Sequence, residues 1–173
     1  MSQTPWKPGR GRLGPLKPLL GKWMASGDSP RGTFCCVRQF TTVLNGTYVE
    51  LMAHWYFGEP AALVTKNGGD TGAVTGSVYE ERAYFKADGD GIHYWSFTSD
   101  GKNSTGVKTE ATDLHESAIA FVAEMPQGQA RQGYWPGENG DMKWVVESKT
   151  QKGWSRFTDH LYKRIAEPAH TSH

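Results

Sequence analysis

Between Asp88 and Asn103 the chain reads DGDG, then Ile92-His93-Tyr94-Trp95-Ser96-Phe97-Thr98, then SDGKN. Asp-Gly between strand-like runs is a strong hairpin signal, because glycine takes the positive φ that tight two-residue turns require. Asp90-Gly91 and Asp100-Gly101 therefore set two hairpins in succession. With Val78 to Phe85 before and Thr105 to Ala111 after, they make a three-stranded meander. The same build recurs along most of the chain. Gly21 to Gly27 begins a first strand and Thr33 to Leu44 a second, which Asn45-Gly46 turns into Thr47 to Phe57. After the meander come Ser117 to Met125, Ala130 to Trp135, Met142 to Lys149 and Trp154 to Ile165, separated by turns rich in Pro, Gly, Asn and Asp. Short strands at nearly regular spacing predict an all-β protein, an antiparallel up-and-down barrel of about 8–10 strands. A barrel is preferred to an open sheet because closure removes the edges that invite aggregation. Leu16 to Leu20 is expected to form one helical turn that closes the barrel's bottom; the long connection after the third strand offers a second turn at Glu59 to Leu63 or a short strand at Ala61 to Thr65.

At 173 residues with 21 glycines and 12% aromatics, the chain is long enough for one domain with a proper core and is composed for strands and turns. A net charge of +1 argues against a nucleic-acid or anionic-membrane partner. No apolar run approaches the about 18 residues of a membrane span, and the basic N-terminus lacks the apolar core of a signal peptide. Cys35 and Cys36 are adjacent and point opposite ways along a strand, so they read as reduced thiols of a cytoplasmic protein. Asn45-Gly-Thr and Asn103-Ser-Thr match the glycosylation pattern, which is idle without secretion.

Three segments follow from this reading. Residues 1–15 are a flexible, basic, Pro/Gly-rich arm with Lys7, Arg10 and Arg12, too poor in apolar surface to offset its ordering entropy. The alternative is an arm that grips an anion or a partner subunit through Trp6, which would make the protein a homodimer. Residues 16–166 are the single barrel domain, and 167–173 a disordered polar tail.

The chain carries no Gly-x-Ser-x-Gly, no His-Glu-x-x-His, no phosphate loop and no spaced cysteine pairs. Asp88-Gly-Asp-Gly lacks the further oxygen ligands and closing Glu of a calcium loop, and turn chemistry accounts for it. What remains is a set of polar and aromatic groups placed by strand parity. Glu50 and His54 share one face of the third strand; His93, Trp95 and Phe97 share one in the central hairpin. Arg156, Thr158, His160, Tyr162 and Arg164 share one on the last strand. Such a lining suits a small hydrophobic or amphipathic ligand, oriented by polar groups within an aromatic cavity. We therefore expect Glu50, His54, His93, Trp95, His160 and Tyr162 to bind the ligand. At least two of His54, His93 and His160 should face the interior, with Trp95 or Tyr162 in reach. The inverse arrangement, an apolar lumen with the histidines in solvent, satisfies the same parity. An enzyme is the alternative, with His54, His93 or His160 as general base and Tyr or Arg polarising a carbonyl.

Leu19-Leu20-Gly21-Lys22-Trp23, ahead of the long meander, resembles the Gly-x-Trp opening of lipocalin-like, calycin-type barrels. Leu44-Asn45-Gly46-Thr47-Tyr48, Tyr94 to Gly101 and the terminal Tyr162-Lys163-Arg164 resemble an uncharacterised lipocalin-like family of small bacterial barrels, over roughly residues 16–166. The resemblance implies a barrel akin to the fatty-acid-binding proteins and a ligand in its centre. It also implies a structural pair, in which the opening Trp23 closes one end and Arg164 packs across it. A more distant resemblance is to nitrobindin, through Gly21, Trp23 and Gly27, with Ala25 in place of the middle glycine. Its haem-ligating histidine is matched in place by His160-Leu161, so this resemblance implies haem at His160. No other cofactor or metal is expected.

Overall fold

A computed structural model describes residues 4–58 and 78–165. Ten strands follow one another: β1 (Gly21–Ser29), β2 (Gly32–Val43), β3 (Tyr48–Phe57), β4 (Val78–Asp88), β5 (Gly91–Thr98), β6 (Asn103–Thr109), β7 (Ile119–Met125), β8 (Gly128–Pro136), β9 (Met142–Thr150) and β10 (Gly153–Arg164). Each pairs antiparallel with its sequence neighbour, and β10 returns to β1, so the sheet is a closed up-and-down barrel. This is the expected architecture. The helical turn at its start is a 3-10 turn, Gly14–Leu19. The expectations for Glu59 to Leu63 and Ala61 to Thr65, and the tail at 167–173, lie outside the described residues.

The alternation of each strand assigns one face to the lumen. Phe34, Cys36, Arg38 and Phe40 of β2 point inward, as do Val49, Leu51 and Ala53 of β3 and Ala83 and Phe85 of β4. On the far side the inward set includes Tyr94, Phe121, Tyr134, Trp144 and Tyr162. Phe40, Phe85, Tyr94, Phe121 and Tyr134 form a chain of ring contacts at centroid distances of 5.1 to 6.3 Å, which fills the lower lumen. Gly106 sits opposite Tyr94 in the ladder, and a Cβ there would overlap the phenol ring. That missing side chain is what lets Tyr94 turn inward.

One end is plugged. Leu16 and Leu19 are fully buried, and the Trp23 indole N–H donates to the Leu19 carbonyl at 2.9 Å. Arg164 stands opposite Trp23 in the ladder, its guanidinium 4.1 Å from the ring and donating to the Leu20 carbonyl at 2.8 Å. Within the arm, Trp6 and Leu13 pack against the core and Arg12 donates to the Gly89 carbonyl at 2.6 Å. Trp6 supplies apolar surface that a count of charges and glycines overlooks.

The closing seam is short. β1 and β10 share two ladder pairs, Trp23 with Arg164 and Met24 with Lys163, whereas β1 and β2 share nine. Above that seam, at the far end, Trp55, Phe57, Val146 and His160 face inward and are partly exposed.

Candidate functional site: a polar cluster in the lumen

A lone arginine interrupts the apolar inward series of β2. Arg38 is 1% exposed and lies among Cys36, Tyr134, Trp144 and Tyr162. Its guanidinium stacks 4.0 Å from the Trp144 ring, and Nη1 donates to the Tyr134 hydroxyl at 2.5 Å. Arg38, Ala53 and Glu81 lie side by side across β2, β3 and β4. Because the middle residue is small, the arginine looks over it toward the carboxylate, with Nη2 3.8 Å from Glu81 Oε1. Ser96 on β5 holds the other carboxylate oxygen, donating to it at 2.9 Å.

The cluster is incompletely satisfied. Arg38 Nε, the Tyr162 hydroxyl and His160 Nδ1 are buried with no hydrogen-bond partner among the described residues. The Cys36 thiol lies beside the Tyr162 hydroxyl without a hydrogen bond of ordinary geometry. Most buried polar atoms in folded proteins are paired, and each one left bare costs about 1–3 kcal/mol. Three of them, on side chains that share one wall of the lumen, are the most unusual feature among the described residues.

Protonation in this pocket follows from burial and one fixed cation. Burial disfavours charge on Arg38, but Tyr134, Tyr162, Cys36 and Glu81 around it hold its pKa above the ordinary value, so it is always a cation. Burial pushes the Tyr134 and Tyr162 phenols well up, against the pull of Arg38, and raises the Cys36 thiol too. All three are neutral near pH 7. His160 is pushed down, first by burial and then by Arg38, so its imidazole is neutral as well. Its ring packs between Phe34, Trp55 and Trp144 at centroid distances of 4.5, 5.5 and 5.7 Å.

The sequence-derived candidates divide between two faces. His160 and Tyr162 join the lumen cluster. Glu50 and His54 do not: they alternate with the buried Val49, Leu51 and Ala53 and point outward. His54 stands beside Glu80 on the outer wall, Nε2 to Oε1 3.7 Å, with the Tyr56 hydroxyl 3.5 Å from its Nδ1. His54 and Glu80 border a shallow outer cleft of about 490 Å³ with Glu81, Arg82, Tyr84 and Phe97. His93 and Trp95 also point outward, their rings stacked 6.5 Å apart, because Ile92, Tyr94 and Ser96 take the inner face of β5. The expectation of two inward histidines is therefore corrected to one among the three, His160. The parity was right and its sense was not. In β3 the small and aliphatic side chains fit a lumen already crowded with phenylalanines, and the charged Glu50 and the His54–Glu80 pair take the solvent side.

Arg156 is displaced from its expected companions. A register shift between Arg156 and Thr158 inserts Phe157 as an extra, 65% exposed residue. The bulge turns Arg156 out to Glu147, donating from Nε to Oε2 at 3.2 Å, and leaves Thr158, His160 and Tyr162 facing in. There it joins an outer-wall network that sequence reasoning missed. Arg131 is 5% exposed, donates from Nε and Nη2 to Glu147 Oε1 at 3.0 and 2.6 Å, and grips both Asp113 oxygens from Nη1 and Nη2 at 3.0 and 2.7 Å. Arg156 also bonds Asp159, which pairs with Lys143.

Arg38, Glu81 and Tyr134 were likewise missed as site residues. The signal for Arg38 was present: an arginine at the parity of Phe34, Cys36 and Phe40. No group of three or more His, Cys, Asp or Glu side chains among the described residues could hold a metal ion. The chain matches no protein-family model, and no curated protein is found similar to it. A closed ten-strand antiparallel barrel is consistent with a calycin-like fold.

Proposed function

We propose that the protein binds a small amphipathic molecule inside the barrel. The oxygen-bearing end of the ligand is held by the Arg38 Nε–H and the Tyr162 hydroxyl. Its apolar body lies along Phe34, Trp55, Trp144 and the His160 ring toward the far end. The observation that carries this reading is the set of unpaired polar atoms at Arg38, Tyr162 and His160. Pockets that bind small molecules combine an apolar, aromatic lining with a few polar groups that fix orientation, and this wall has that composition.

Binding is favoured over acid–base chemistry in the same place. With their pKa values raised by burial, Tyr134 and Tyr162 are good hydrogen-bond donors and poor proton donors near pH 7. The neutral His160 has no carboxylate partner to orient it as a base: Asp159, its nearest acidic neighbour in sequence, is held on the outer wall by Lys143 and Arg156.

Native mass spectrometry of the full chain, purified gently from its own source, tests the proposal. A small organic molecule retained by the wild type and lost from Arg38→Met is the expected result. The reading fails if nothing is retained and the wild type also does not enhance the fluorescence of a hydrophobic dye. Haem at His160 is a separate reading supported only by the neutral imidazole among flat rings, and a Soret band in the purified protein would favour it.

A further inference from the structure

The charge of Arg38 is already answered. Glu81 reaches it across Ala53, is fixed by Ser96, and is only 24% exposed, so the middle of the lumen is close to electroneutral before any ligand enters. The groups left to recognise a ligand are donors, the Arg38 Nε–H and the Tyr162 O–H. A ligand oxygen can accept from either. A carboxylate would supply that oxygen together with a second negative charge beside Glu81, in a setting where an uncompensated buried charge is costly. A carbonyl supplies it with none. The lining is also aromatic: Trp55 and Phe57 stack with their planes 10° apart, and the Trp144 ring, tilted 47° to Trp55, lies 5.9 Å from it beside His160. Faces of that kind favour offset stacking with a conjugated ring over a bent alkyl chain.

We infer that Glu81 sets the lumen for a flat, uncharged carbonyl compound, such as an aromatic ketone, ester or quinone, and against carboxylates of the same shape. This rests on the lumen being the ligand site. It adds a specificity-determining residue, which acts by neutralising Arg38 and not by touching the ligand.

Calorimetric titration of the full-length protein with 2-acetylnaphthalene, 2-naphthamide and 2-naphthoate separates charge from shape. Wild type should bind the ketone and the amide about tenfold or more tighter than the carboxylate, a gap of about 1.4 kcal/mol. In Glu81→Gln, which keeps the size of the side chain and an oxygen for Ser96, that gap should close or invert through tighter naphthoate binding. Naphthoate binding as tightly as the two neutral probes in wild type would overturn the inference and leave the lumen site standing. An unchanged preference in a folded Glu81→Gln protein would do the same. The wild-type comparison decides the matter alone if that variant does not fold. Failure of all three probes to bind wild type would instead overturn the lumen site itself.

Discussion

Two buried arginines stand in this barrel, and they are partnered differently. Arg131 on the outer wall, 5% exposed, has all three of its nitrogens bonded to carboxylates of Asp113 and Glu147, with Trp154 4.6 Å from its guanidinium. Arg38 in the lumen, 1% exposed, has one phenol, the neighbouring Cys36 thiol, one carboxylate at 3.8 Å and a bare Nε. A saturated arginine is an element of structure, here tying β8 and β9 to the loop that carries Asp113. An unsaturated one at equal depth has bonding capacity the fold does not use, and that capacity is directed at the lumen.

The contrast should be plainest in stability. Glu147→Ala leaves Arg131 buried with half its partners and Arg156 with Asp159 alone, so it should destabilise by about 3–5 kcal/mol in urea denaturation. Arg38→Met removes the cation and keeps the bulk, and because Glu81 is partly exposed and retains Ser96, the loss should be about 1 kcal/mol or less. Equal losses would mean that Arg38 too is structural.

Tyr162→Phe sharpens the same point on a neighbouring group. The hydroxyl has no partner to lose and its bare burial is unfavourable, so removing it should raise the unfolding free energy, by up to about 1–3 kcal/mol. Affinity for a carbonyl probe should fall about tenfold, the worth of one good hydrogen bond. A large stability loss with unchanged affinity would assign the hydroxyl to the fold.

His160 gives the smallest effect. Its folded pKa lies below the ordinary value of about 6.5, so below that pH the unfolded chain takes up the proton first. Stability tied to this group is complete above about pH 6.5 and is lost as pH falls from there through the depressed folded value. His160→Gln should remove that part of the pH dependence, and identical profiles for the two proteins would show that the imidazole titrates freely.

The architecture was legible because hairpin turns are local. Asp100-Gly101 and Asn45-Gly46 each mark a turn without reference to the rest of the chain, and the strand between two turns follows; in DGDG the loop is Gly89-Asp90, with Gly89 and not Gly91 at positive φ. The lumen was legible only as parity. Alternation on β3 and β5 grouped Glu50 with His54 and His93 with Trp95, but which group faces in depends on the opposite wall. Gly106 across from Tyr94 settles it for β5, and only strand pairing shows that these two residues meet. On β10 alternation itself fails, since the bulge at Phe157 separates Arg156 from His160. Arg38 needed no partner strand to be noticed: an arginine in register with Phe34, Cys36 and Phe40 is an anomaly within its own segment. Its relation to Glu81 did need one, because the two are brought side by side across Ala53.

The proposal rests on Arg38 as the anchor of the ligand. Titrating 2-acetylnaphthalene into wild type and Arg38→Met by calorimetry, with urea denaturation of both samples, tests it most directly. Binding should be at least about tenfold weaker in the variant, with unfolding free energies within about 1 kcal/mol of each other. Equal affinity in the two proteins would contradict it.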